Sequence, residues 1–458
     1  MTALSPIPDS WARASLGEIL LRIEAGKSFR CEARPARHDE WGIVKVSAMT
    51  YGQFREEENK AVSPDVPFDA TNEIRSGDIL LSRANTESYV GAPVLVGKCR
   101  PRLLLSDKSL RLIPSPSVDR RWLVHLLSSP GIRKEISRRA TGTKDSMRNI
   151  SQASLREIQI RVPSVDKQRR IVEILEDHLS RLDAADIGLV RVARRLKALT
   201  KRVLVEAVPI PGPSHWKLVP VADAGRVELG RARHPDWHTG PHMRPYLRVA
   251  NVFEDRIDAA DLMEMDFSPH IFERYRLAEK DILLNEGQSP EYLGRPAMYV
   301  GTPENVAFTN SLIRFRARPD ILPEWALIVF RRHMHAGRFI REVRITTNIA
   351  HLSVTRFKSV EFPIPPLNEQ QLIVREVREK LDSIQRFASV VESGMKRAQE
   401  LRKSLLARAF AGQLVEQDPA DEPASTLLEH VPAEPTQGPA GCSWRGLGEM
   451  ALQRETLL

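Results

Sequence analysis

Basic, amide and short hydroxyl side chains gather in three stretches of this chain, and each stretch occurs twice. The early pair holds Lys27, Arg30, Arg34 and Arg37, then Arg231, Arg233 and Arg244. The pair after an apolar strand holds Arg83, Asn85 and Thr86, then Asn285 and Gln288. The late pair holds Thr143, Lys144, Ser146, Arg148 and Asn149, then Arg344, Thr346, Thr347 and Asn348. Guanidinium and ammonium groups suit phosphates and guanine edges, and amides suit the adenine edge. Any one of these residues alone reads as a solvated loop position. The matched sets point to recognition of duplex DNA rather than bond-making.

Motifs for other chemistry are missing or broken. Gly91 to Lys98 resembles a phosphate loop, but five residues separate its glycines and Cys99 stands where Ser or Thr would hold magnesium. His234, His238 and His242 are spaced by four, yet Pro235, Gly240 and Pro241 break any helix that would align them. His333 and His335 sit among Arg331, Arg332 and Arg338 and suit an anion better than a metal. No catalytic or metal-ligating residue is assigned, and a binding protein fits better than an enzyme.

The elements that would position the basic stretches repeat at a nearly fixed offset. Residues 1–163 form a first domain and 209–365 a second on the same strand-and-turn skeleton. Ser10-Trp11 and His215-Trp216 open the two domains. Ile43 to Met49 lies under Tyr246 to Val252, and Asp78 to Leu81 under Asp281 to Leu284. Trp122 lies near Trp325, Ser146 to Ser151 under Asn348 to Ser353, and Ile160 to Pro163 under Phe362 to Pro365. The intervening loops differ. One scaffold with two grafted surfaces implies two targets, or two parts of one target.

Each domain is followed by a long helix, 164–208 and 366–415, with Asp166 and Asn368 as N-caps and Gly412 as a C-terminal cap. The seam expected on the first runs Ile171, Leu175, His178, Leu182, Ala185, Leu189, Val192, Leu196, Leu199 and Val203. On the second it runs Ile373, Val377, Lys380, Ile384, Phe387, Val391, Gly394, Ala398, Leu401 and Leu405. This spacing predicts an antiparallel coiled coil with Leu182 facing Gly394, His178 facing Ala398 and Phe387 near Ala185 and Leu189. Two separate surface helices are the alternative. The fold class expected is α+β: two tandem recognition domains joined by two long antiparallel helices as a pseudo-twofold repeat.

The 458 residues carry a net charge of +9. From Glu416 onward eight acidic residues face two arginines, so this tail is at −6 and residues 1–415 at +15. So basic a body implies a polyanionic partner, with nucleic acid the default. The acidic, Pro-rich tail 416–458 is too poor in apolar anchors to offset chain entropy and is expected to be disordered. Three scattered cysteines fit a reducing cytosol, and no signal peptide or membrane span is read.

Residues 1–415 resemble the specificity subunit of type I restriction–modification systems. The resemblance rests on the duplicated layout, on Gly77-Asp78-Ile79-Leu80-Leu81, and on Ile150-Ser151 with Leu352-Ser353. It rests most on Pro365-Pro366-Leu367-Asn368-Glu369-Gln370-Gln371 and Ser404 to Gly412, which bracket one long helix. It implies that each domain reads half of a split DNA site. The helices would set the gap and dock two methyltransferase subunits that bring S-adenosylmethionine and modify adenine. Two restriction subunits using ATP and magnesium could join in the cytoplasm. This subunit itself would carry neither cofactor nor catalytic residue. A seam of about 33 residues at about 1.5 Å each is roughly 50 Å, enough to hold half-sites about one helical turn apart. Two other readings stay open: a related methyltransferase-only or type II-like system, and an adaptor that does not bind DNA. The second domain departs from the pattern where Lys280 replaces Gly77 and Gly230-Arg231 replaces Gly26-Lys27.

Overall fold

A computed structural model describes residues 8, 10–50, 52–63, 70–144, 147–341, 350–416 and 423–425, with backbone alone for Thr143 and Lys144. The chain forms two compact units, Met1–Asp186 with Lys396–Leu458 and Ile187–Met395. Among the described residues no helix is long and apolar enough to cross a membrane.

Unit 1 is organised on an antiparallel sheet in the order Leu20–Ala25, Ser109–Pro114, Ile79–Ser82, Pro93–Leu95. Ile79, Leu81, Leu110 and Leu112 pack on Trp122 and Leu123 of the helix Arg120–Ser128. Leu80 and Val94 point the other way, onto Val44, Met49, Ile74 and Leu103. A sheet covered on both faces needs apolar residues at consecutive positions, which explains the unbroken Ile79-Leu80-Leu81. Unit 2 repeats this in the order Gly225–Leu229, Leu312–Ala317, Ile282–Asn285, Pro296–Met298. Its faces rest on Trp325 and Phe330 on one side and on Leu247 and Phe308 on the other.

A smaller sheet in unit 1 sets Gly42–Val44 between Asn59–Ala61, antiparallel, and Leu103–Leu104, parallel. In unit 2, Met243–Leu247 lies between Met263–Asp266 and Ala307–Phe308 with the same polarities. Two-stranded ribbons, Ala12–Ser15 with Gln159–Val162 and Lys217–Pro220 with Glu361–Ile364, join the start of each repeat to its end. The architecture is α+β.

The long helices are Val165–Ala207 and Leu367–Phe410. They run antiparallel within each unit. In unit 1, Ile171 and Leu175 share a core with Leu406 and Ala409, while Arg402 reaches Asp183 at 2.6 Å and Asp186 at 3.4 Å. In unit 2, Leu204 and Val208 share a core with Ile373 and Val377, and a methyl on Gly394 would lie 3.4 Å from Leu189. Gly394 therefore meets Leu189 rather than Leu182, one heptad from the expected register.

The covered stripe also differs from the expected one, by the same step in both helices. Burial recurs at Leu175, Leu179, Leu182, Asp186, Leu189, Ala193, Leu196 and Thr200, and at Val377, Leu381, Ile384, Ala388, Val391, Met395, Ala398 and Arg402. Alternate positions are displaced by one residue. Leu199, Phe387 and Leu401, assigned to the seam, are 44%, 65% and 48% exposed. A reading that ranks apolar residues first passes over Asp186 and Arg402, which pair with each other, and Thr200, whose hydroxyl is satisfied by the Leu196 carbonyl.

The helix starts also shift. The carbonyls of Ser164 and Pro366 accept the first helical bonds, from Gln168 and Gln370, so Asp166 and Asn368 lie inside the first turn. Gly412, at φ +78°, closes the second helix in a Schellman motif: Gln413 N–H donates to Arg408 O and Gly412 N–H to Ala409 O. The tail read as disordered is seated at one described point, where buried Ala424 donates its N–H to Ser10 O.

Gln168 and Gln370 are fully buried and do the same task. Gln168 accepts from Asp119 N–H at 2.9 Å and donates to Pro163 O at 3.0 Å. Gln370 accepts from Leu322 N–H at 2.8 Å and donates to Pro365 O at 2.9 Å. Each ties the start of a long helix to the N-cap residue of its unit's Trp-bearing helix.

Candidate nucleic-acid interface

In unit 1 the late stretch, expected as a loop, is a hairpin of Thr141–Lys144 and Met147–Asn149. Its second strand pairs with Ala84–Asn85, setting Arg148 opposite Asn85 and Asn149 opposite Ala84. Backbone pairing thus brings the post-strand and late stretches to one edge. Unit 2 makes the matching ribbon, with Gly287 opposite His351 and Gln288 opposite Ala350. The post-strand loops, unlike in side chain, are alike in backbone. Gly91 at φ +73° donates to Ser82 O, and Gly294 at φ +70° donates to Asn285 O. Asn85 and Gln288 occupy the same place. Each side-chain oxygen accepts the next residue's N–H, from Thr86 at 2.8 Å and from Ser289 at 3.1 Å.

An ion triad, buried in unit 2 and half-buried in unit 1, ties the central strand of each sheet to its neighbours. Arg111 lies 3.0 Å from Glu24 and 3.1 Å from Asp78; Arg314 lies 2.5 Å from Glu228 and 3.8 Å from Asp281. Burial pushes the Glu228 carboxyl up, but its hydrogen bonds to Arg274 and Arg314 win and its pKa falls below the usual value. The turn before Ile79–Ser82 and Ile282–Asn285 is shared as well, because Lys280 adopts φ +70° where Gly77 has +86°. Gly26 and Gly230 are matched by necessity: a Cβ would lie 2.1 Å from Leu105 O and 2.2 Å from Thr309 O.

The early residues divide. Lys27, Arg30, Arg37, Arg233 and Arg244 are exposed. Arg34 grips Glu40 at 2.6 and 2.9 Å and Glu32 at 2.8 Å, so it shapes its loop. That grip holds the Glu40 carboxyl at about 2. Arg231 is clamped over the rings of Trp237 at 3.9 Å and Phe267 at 4.7 Å, with burial drawing its pKa down.

At the edge, Thr86 is exposed and Arg83, Asn85 and Gln288 are half-buried. Arg148 folds back on the carbonyls of Ala140 at 2.8 Å and Gly142 at 3.3 Å. Asn285, expected among the DNA-reading residues, is instead fully buried and donates to Val252 O at 3.4 Å. Ser146, Arg344, Thr346, Thr347 and Asn348 lie outside the described residues, as do the side chains of Thr143 and Lys144.

Sequence reading passed over Tyr89 and Tyr292, each 40% exposed beside its edge, and exposed Met147 and His351. The repeated Tyr-x-Gly-x-Pro at Tyr89 to Pro93 and Tyr292 to Pro296 was the available signal. Among the described residues no group of three or more His, Cys, Asp or Glu comes together to hold a metal.

Comparison with known proteins agrees with this duplicated layout. Residues 266–384 match the type I restriction modification DNA specificity domain. The chain is 24% identical over 456 residues to the type I restriction enzyme EcoKI specificity subunit of Escherichia coli strain K12, covering 93% of this chain and 96% of the relative. This chain is similar over most of its length to type I restriction–modification specificity subunits. A second such subunit, EcoEI of Escherichia coli, is 30% identical over 173 residues, which is 37% of this chain and 29% of that one. A solved structure from a study of assembly and conformational transition in the type I R-M system shares the fold. Its TM-score is 0.67 at 18% identity, over 89% of this chain and 99% of that chain. The specificity-subunit family is non-catalytic.

Proposed function

We propose that each recognition domain of this specificity subunit reads one half of a bipartite DNA site. The long helices would set the gap and dock two methyltransferase subunits within a cytoplasmic complex. The observation that carries this reading is one edge built twice on matched backbone with different side chains: Asn85 with Arg148, against Gln288 with Ala350 and His351. Matched backbones give both halves the same approach to a groove, and unlike side chains give them different base preferences. Lys27, Arg30, Arg37, Thr143, Lys144, Arg233 and Arg244 supply phosphate contacts that fix register. Partner methyltransferases supply S-adenosylmethionine, and restriction subunits, where present, ATP and magnesium.

The test is adenine methylation across the host genome with and without this gene. Loss at one motif of two short half-sites around a fixed gap is expected. In Gln288→Ala, one position of one half-site should relax by about 1–3 kcal/mol, with the other half unchanged. An unchanged methylome in a host that carries the methyltransferase overturns the reading.

A further inference from the structure

Unit 2 holds a cavity of about 400 Å³ with five arginines on its wall: Arg226, Arg274, Arg276, Arg314 and Arg316. Three carboxylates face them. Glu228 lies 2.8 Å from Arg274, 2.5 Å from Arg314 and 3.6 Å from Arg226; Asp281 lies 2.6 Å from Arg316; Glu273 lies 3.2 Å from Arg276. Five guanidiniums over three carboxylates leave two positive charges in surplus. Unit 1 provides an internal control. Its equivalent strands and backbone contacts put Arg22 in the place of Arg226 and Ile113 in that of Arg316. The carbonyls of Thr71 and Glu73 accept from Arg111 where those of Arg274 and Arg276 accept from Arg314. The ion triad is therefore common scaffold, and the surplus comes from three residues peculiar to unit 2.

The cavity lies toward the far end of the sheet from the reading edge. Arg316 stands four residues along its strand from Leu312, the partner of Asn285, a separation of roughly 13 Å. We propose that this cavity is a phosphate-binding site, taking the oxyanion of a free nucleotide or of a nucleic-acid backbone through Arg226, Arg274, Arg276 and Arg316. Guanidinium forks match phosphate oxygens in pairs, and clustered arginines accept an anion that relieves their repulsion.

The probe is inorganic pyrophosphate, titrated calorimetrically into the full chain at low salt. Wild-type protein should bind it. Arg274→Thr with Arg276→Glu, the unit 1 residues at both places, should weaken binding about tenfold or more with thermal unfolding little changed. Arg226→Ala, on the exposed rim, gives a second reading should the double variant unfold, with a loss of about threefold. Arg22→Ala in unit 1 should change nothing. No binding by wild type, equal binding by the cavity variants, or an equal loss with Arg22→Ala overturns the proposal. ADP binding well above pyrophosphate assigns a free nucleotide. ADP no better than pyrophosphate, with a salt slope for DNA binding reduced by about one to two in the double variant, assigns a backbone phosphate. The pyrophosphate result stands whether or not the base-reading edge is correctly assigned.

Discussion

At the residue scale the two units spend buried polar groups on alignment. His333 is fully buried with its ring against the Glu361 carbonyl at 2.9 Å. Burial is the largest influence on it and holds its pKa at about 4, the nearby Arg332 and Arg338 adding to the effect and Glu361 opposing it. An unfolded histidine takes its proton near 6.5. Between those values the unfolded chain binds more protons, so stability falls as pH drops from about 6.5 toward 4. His333→Gln should flatten that slope, seen as a smaller loss of denaturant midpoint from pH 7 to pH 5 than in wild type; an unchanged slope removes His333 from the account. Residue type alone did not separate structural arginines from exposed ones. Arg34 and Arg231 sit in basic stretches like Arg30 and Arg233, but two carboxylates hold the first and two rings the second. Asn285 read as a recognition amide because its neighbours are polar, while the strand it ends is covered on both faces.

At the element scale the long helices show how far periodicity reaches. Their existence, length and antiparallel sense follow from apolar spacing and from each helix leaving one unit and entering the other. The covered stripe does not, because apolar residues flank it on a wider arc than the seam needs. Two glycines separate the kinds of constraint. Gly394 has ordinary space, so Gly394→Ala should stabilise unit 2 by about 0.5–1 kcal/mol through helix propensity. Gly26 has none: a Cβ there overlaps Leu105 O, so Gly26→Ala should destabilise unit 1. Chemical denaturation of both variants checks this pair, and a stable Gly26→Ala would show that the strand gives way at little cost.

At the scale of the whole molecule, one scaffold is used twice with divergent surfaces. Exchange of residues 1–163 for the matching segment of a relative should change one half of the methylated motif and leave the other intact. A methylome in which both halves change together would show that the domains do not read independently. Among the described residues of the acidic tail, Ala424 is buried and donates its N–H to Ser10 O.

The sequence by itself determined the duplication, the α+β class, the two long helices and the basic stretches, because each leaves a local mark: a repeated phrase, a period, a run of charge. Which of those stretches meet was decided only in three dimensions. Asn85 and Arg148 lie 63 residues apart and touch because a ribbon pairs them. The triad of Glu24, Asp78 and Arg111 is built the same way, from two strands and the turn before a third that no local pattern joins. Burial likewise belongs to the packed state: Asn285 and Gln288 share polarity and neighbourhood in the chain, and only the sheet above and below makes one of them interior.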